Sequence, residues 1–191
     1  MATINGTNND DWIIYQVSEN PIADGYGDND YLWNASGGND DLYGGDDNDT
    51  FLNQYGNNYL SAGGNSFDSL LEVFRNAILD GGALSDILIG DVGNNYLRAG
   101  NLIDDLNGGF GNDILDGGAL SDTVGDVGNN YLRAGGIGID SLLEAFRNAI
   151  FNGGALSDTV GDVGNNYLRA GGLIDYPNGG FGNNILDGGA L

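Results

Sequence analysis

Large apolar residues recur along this chain about every nine positions, each set between two residues of different character and separated from the next by a bend rich in Gly, Asn and Asp. A three-residue x-U-x segment, with U large and apolar, predicts a short strand whose central side chain points inward and whose neighbours point outward. The U residues fall into two series. One runs Leu32, Phe51, Leu70, Leu88, Leu106, Val124, Leu142, Val160 and Pro177; the other runs Leu42, Leu60, Leu79, Leu97, Leu115, Leu132, Phe151, Leu168 and Leu186. Self-comparison gives a longer period as well. GGAL begins at 81, 117, 153 and 188, and NNYL at 57, 94, 129 and 165, so units of nine are grouped in fours.

One segment competes with this reading. Ser69-Leu-Leu-Glu72 is a capping box, and the apolar run after it ends at Gly81, as an amphipathic helix would. A second copy spans 141–151. Yet the nine residues from Glu72 to Asp80 keep the phase of the repeat on both sides, which favours strand.

Composition narrows the possibilities. Of 191 residues 36 are Gly and only 2 Pro, which excludes collagen; 40% are hydrophobic at fixed spacing, which speaks against disorder. The formal charge is -23, from 28 acids against Arg75, Arg98, Arg133, Arg147 and Arg169. Such a surface attracts cations and repels nucleic acid and anionic membranes. There is no Cys for a disulfide or thiolate site and no His for a general base or zinc ligand. No apolar run is long enough for a membrane-spanning helix, and MATINGTNNDDWIIY lacks a Sec-type leader.

Units such as GGFGNDILD from Gly108 and GGIGIDSLL from Gly135 match GGxGxDxUx. They resemble the RTX (repeats-in-toxin, haemolysin-type) nonapeptide over roughly residues 24–191, with NGTNNDDWI in an N-terminal cap, 1–23, as a degenerate first unit. The resemblance implies an all-β fold: a parallel β-roll, or β-solenoid, of about 18 residues per turn, two nonapeptides to a turn. It also implies calcium. Each ion would sit between adjacent turns, held by motif carboxylates and by carbonyls of the first and third motif residues. Here those are Gly81 and Ala83, Gly117 and Ala119, and Gly153 and Ala155.

The motif position for Asp separates two edges. One reads Asp30, Asp49, Asp68, Asp86, Asp104, Asp122, Asp140, Asp158 and Asp175. The other reads Asp40, Asn58, Ala77, Asn95, Asp113, Asn130, Ala149, Asn166 and Asn184. Carboxylates stacked about 4.8 Å apart repel by roughly 3 to 4 kcal/mol per pair before screening, which Ca²⁺ relieves with its six to eight oxygen ligands. Asx-turns at the bends are the competing role for these aspartates. The units around Asp104 and Asp175 are one residue short, and GGALSD has Leu for the third Gly. Calcium is therefore expected on the acidic edge and an asparagine ladder on the other, with Asp40 and Asp113 as isolated exceptions.

On the strands after the amide edge the residue before U alternates Tyr59, Ile78, Tyr96, Ile114, Tyr131, Ile150, Tyr167, Ile185, which reads equally as an apolar stripe marking a contact surface and as a solvated sheet rich in Tyr. The residue after U reads Asp80, Arg98, Asp116, Arg133, Asn152, Arg169, Asp187, an acid–base ladder. The expected function is a secreted, calcium-stiffened structural rod for surface layer, matrix, adhesion or filament. Self-association is expected through its ends, since the sequence stops at GGAL within a repeat, or through the Tyr stripe (Tyr59, Tyr96, Tyr131, Tyr167). Type I export is what the family resemblance implies. Nothing resembles GxSxG or HExxH, so no catalysis is expected here. The alternative is the repeat region of a larger secreted enzyme or toxin, against which stands the start of the repeats soon after Met1. Ice binding would need ranks of Thr, which are absent. Asn5, Asn34 and Asn48 fit the glycosylation sequon at a rate chance explains.

Overall fold

A computed structural model describes residues 2–16, 20–35, 37–64, 67–72, 76–90, 92–118, 123–128, 131–133, 139–144, 150–152, 157–163, 165, 167–169 and 176–187. Among these there are strands and bends and no helix. The strands form two parallel sheets that the chain visits alternately, a β-solenoid. The first sheet stacks Thr3–Asn5, Ile22–Tyr26, Asp41–Gly45, Tyr59–Gly63, Ile78–Asp80, Tyr96–Gly100, Ile114–Gly118, Tyr131–Arg133, Ile150–Asn152, Tyr167–Arg169 and Ile185–Asp187. Facing it lie Trp12–Tyr15, Tyr31–Asn34, Thr50–Asn53, Ser69–Glu72, Ile87–Ile89, Asp105–Gly111, Thr123–Gly128, Ile139–Glu144, Ser157–Val163 and Tyr176–Phe181. Eleven strands in register at about 4.8 Å spacing extend about 48 Å along the stacking axis.

The register puts like residues on like. Leu79, Leu97, Leu115 and Leu132 pair in one sheet, and Leu32, Phe51, Leu70, Leu88 and Leu106 in the other. Early turns on the acidic edge advance 19 residues (Leu32 to Phe51), later ones 18 (Leu88 to Leu106). The U residues form a thin core one side chain deep, and Leu32, Leu42, Leu60, Leu70, Leu88 and Leu97 are completely buried. Each is surrounded by the U residues of neighbouring turns. Leu88→Ala is therefore expected to cost about 2 to 5 kcal/mol, and Ile87→Ala, which points outward and is 47% exposed, under about 1 kcal/mol in denaturant titrations.

The helix suggested by the capping box does not form. Ser69–Glu72 and Ile78–Asp80 are strands of opposite sheets, because each finds a full ladder with its neighbours in register. Helix propensity in so short a segment is outweighed by those pairings. The second copy repeats the pattern in Ile139–Glu144 and Ile150–Asn152. The N-terminal strands Thr3–Asn5 and Trp12–Tyr15 stack on the same two sheets, with Ile13 inward beside Leu32.

Outside, the acid–base ladder closes where expected: Arg98 lies 3.7 Å from Asp80 and Arg133 3.1 Å from Asp116. Both arginines are more than half exposed, so each pair contributes under about 1 kcal/mol. The facing sheet carries an apolar column of its own. The residue after U forms a column Ile14, Trp33, Leu52, Leu71, Ile89 without a charge, beside the Trp12–Tyr31 ring pair at 5.2 Å.

Candidate metal centre

At both edges the bend is held by one recurring bond. The backbone N–H of the inward Asx residue donates to the Oδ1 of its counterpart one turn further on. On the acidic edge Asp11 donates to Asp30, Asp30 to Asp49, Asp49 to Asp68, Asp68 to Asp86 and Asp86 to Asp104, at 2.7–3.0 Å. On the other edge Asp40 donates to Asn58 and Ala77 to Asn95, at 2.8 and 2.9 Å, and Asn95 to Asp113. Asp and Asn thus do the same structural work through the same atom. A second ladder runs the opposite way in the exposed position just before. There the N–H of Asn48 reaches the Oδ1 of Asn29, that of Asn57 reaches Asn39, and that of Asn94 reaches Asn76. The two ladders pull each bend toward both neighbours and fix the turn spacing.

The edges differ in the remaining atom of the side chain. Where it is an amide nitrogen it finds an acceptor: Asn58 Nδ2 donates to Glu72 Oε2 at 3.0 Å, and Asn95 Nδ2 to the carbonyl of Gly108 at 3.1 Å. At three carboxylates of the acidic rank the corresponding oxygen finds no donor. Oδ2 of Asp30, Asp49 and Asp86 is buried without a hydrogen bond. Burial, opposed by the one backbone N–H and reinforced by neighbouring aspartates, pushes the carboxyls of Asp49 and Asp86 up to about 7. Burial likewise raises Asp104 to about 6 and lifts Asp30 above the usual carboxylate range.

A glycine five residues before Asp30, Asp49 and Asp86 makes room for this oxygen. A Cβ on Gly25 would overlap Oδ2 of Asp30 and sit 2.7 Å from the carbonyl oxygen of Gly44, the same glycine one turn on. A Cβ on Gly44 would likewise overlap Oδ2 of Asp49, and one on Gly81 Oδ2 of Asp86. At Gly25 a buried oxygen without a donor and a backbone carbonyl from the next turn thus converge beside one glycine Cα, and hard oxygen donors of this kind suit Ca²⁺. Among the described residues no three acidic side chains gather round one point, so an ion here would depend on backbone carbonyls.

Of the other residues expected at the site, Asp68 and Asp104 stand in the same buried rank, Gly117 is buried at the end of its strand, and Ala83 is half-buried in its bend. Asp140 and Asp158 are paired in the strand ladder. Asp122, Asp175, Ala119, Gly153 and Ala155 lie outside the described residues.

The rank begins one turn earlier than the sequence suggested, at Asp11. Its Oδ2 receives the N–H and the hydroxyl of Thr7, the latter at 2.9 Å, so local donors occupy the place that is empty of them further on. The spacing of 19 from Asp11 to Asp30, in NGTNNDDWI, was the available signal.

A buried polar column on the amide edge was not foreseen. Asn34, Asn53 and Glu72, two residues after U and therefore inward, are completely buried. Nδ2 of Asn34 and of Asn53 donates to Asp40 Oδ2, at 2.5 and 3.1 Å. With its amide committed inside the solenoid, Asn34 is closed to glycosylation. Asp40 Oδ1 is buried without a donor for a legible reason: the residue below it in the stack is Pro21, which has no N–H. Burial raises the carboxyl of Asp40 too.

No family model matches the chain, and no curated protein matches it.

Proposed function

We propose that the chain is a secreted structural rod stiffened by calcium on its acidic edge. The observation that carries this reading is the contrast between the edges: the same ladder leaves satisfied amides at Asn58 and Asn95 and buried carboxylate oxygens with no donor at Asp30, Asp49 and Asp86. A divalent cation supplies there the positive charge that no Lys, Arg or His of the edge provides. Asp30, Asp49 and Asp86, with the carbonyls of the motif glycines, would hold it. The protein's own part is to fix turn spacing through Oδ1 and to keep Oδ2 dry and aimed beside glycine. As the resemblance to RTX repeats suggests, folding is then coupled to an extracellular supply of calcium.

Thermal unfolding followed by circular dichroism tests this directly. Millimolar Ca²⁺ is expected to raise the midpoint strongly over that in chelator, and Asp49→Asn with Asp86→Asn to remove most of the response. An unchanged midpoint with and without Ca²⁺ would end the metal reading.

A second observation bears on assembly. Molecules carrying -23 each approach with least repulsion where charge is absent, and the column Ile14, Trp33, Leu52, Leu71, Ile89 is such a face. Rods associating through it should sediment as oligomers in Ca²⁺, and Leu52→Asp should return them to monomers.

A further inference from the structure

The exposed asparagine ladder of the amide edge runs beside the Tyr/Ile stripe, and between them lies an open groove of about 430 Å³ parallel to the stacking axis. One wall is a rank of exposed amides, Asn57, Asn76, Asn94 and Asn112, and the other is Tyr59, Ile78, Tyr96 and Ile114. Ala77 lies in the groove's lining between Asn58 and Asn95, a position of the inner rank without an amide. We propose that this groove binds an extended, uncharged, β-linked polysaccharide lying along the axis of the solenoid.

Three features select that occupant. The walls repeat every turn, about 4.8 Å, so a ligand that is itself a linear repeat can use every turn at once. The polar wall consists of side-chain amides, which both donate and accept, and hydroxyl groups do the same. Some of that capacity is used within the ladder, where Asn94 Oδ1 accepts from the N–H and Nδ2 of Asn112. Opposite it, a tyrosine ring every second turn, about 9.6 Å, alternates with a flat aliphatic surface. Pyranose rings present such a pairing, with apolar C–H faces and hydroxyl edges, and a β-linked chain alternates its faces with a two-residue period.

Charge removes the competitors. Among the described residues that line the groove, Asp41 is the single charged one. Nucleic acid and polyanionic glycans would approach a rod of charge -23, on which the exposed Arg98 and Arg133 of this sheet already face Asp80 and Asp116. A peptide strand repeats about every 3.3 Å per residue and seeks backbone partners, which the paired strands of this face do not offer.

The test uses the full chain in Ca²⁺, run in native gels containing hydroxyethylcellulose or mixed-linkage β-glucan, with polygalacturonate and α-linked dextran as controls. Retardation by the two β-glucans and by neither control is expected. Tyr59→Ala with Tyr96→Ala should weaken it about tenfold or more, and Tyr31→Ala, on the other sheet, should leave it unchanged. Circular dichroism confirms that each variant keeps the strand spectrum. Absence of retardation by either β-glucan overturns the proposal, and so does equal retardation of the double variant. If the double variant instead changes the sedimentation of the glycan-free protein and not its retardation, the stripe is a contact between copies and the proposal is equally overturned.

Discussion

In chelator, the protein is expected to lose stability as the pH rises from about 4 to about 7, and calcium should abolish that loss. Unfolded aspartates release their protons near 3.9, whereas the folded chain holds the carboxyls of Asp49 and Asp86 up to about 7 and Asp104 to about 6. Between those limits the folded state binds more protons than the unfolded one, so stability falls with rising pH and is level on either side. The sign is opposite to that of a salt-bridged carboxylate. Its cause is burial, at Asp49 and Asp86 of an oxygen with no donor, a cost that protonation avoids. Holding one carboxyl at about 7 instead of near 3.9 corresponds to about 4 kcal/mol for that group taken alone, and neighbouring groups share that cost instead of adding it. Even so the loss is large against the 5 to 15 kcal/mol typical of a domain.

Calcium competes with protons for the same oxygens, so its affinity should rise over this pH range. Denaturant midpoints at about pH 5 and 8, with and without Ca²⁺, measure all four corners. A chelated protein more stable at the higher pH would contradict the burial argument. Asp49→Asn gives a sharper sign. The amide keeps the acceptor for the Asp30 N–H and carries no charge, so in chelator at high pH the variant should be more stable than the parent. In calcium the order should reverse.

Gly45→Ala is expected to be among the most damaging single substitutions, at about 3 kcal/mol or more. Gly45 has φ +121°, a conformation L side chains rarely adopt, and an added Cβ would overlap the carbonyl oxygen of Tyr26 in the turn below. Backbone cannot step aside there without breaking the ladder that pairs Gly45 with Tyr26 and Gly63. Gly63, Gly82, Gly100 and Gly118 repeat the arrangement turn after turn, each with positive φ and each against the glycine carbonyl of its predecessor. Gly27 is the control. A Cβ there meets nothing within 4 Å, so Gly27→Ala should change stability by under about 0.5 kcal/mol. Comparable denaturation midpoints for the two variants would mean that the close stacking of bends does not set stability.

The division between readable and unreadable features follows the range of the interactions. Period, strand positions, inward leucines and the two unlike edges are local or one-turn properties. A nonapeptide repeat writes them many times over, so Leu79 on Leu97 and Arg98 beside Asp80 could be placed from the sequence. The capping box at Ser69 misleads for the same reason in reverse: its helix signal is local, and the ladders that defeat it come from residues 18 or 19 positions away. What only the tertiary structure decided is where each second atom goes. Asp49 and Asn58 use Oδ1 identically, and only stacking reveals that the amide of Asn58 meets Glu72 while Oδ2 of Asp49 meets no donor. Pro21 below Asp40, Asp11 at the head of the acidic rank and the groove beside Ala77 likewise depend on which residue lies one turn away. Sequence determined the repeat and its chemistry; stacking decided which polar atoms were satisfied, because hydrogen-bond partners across turns are set by register.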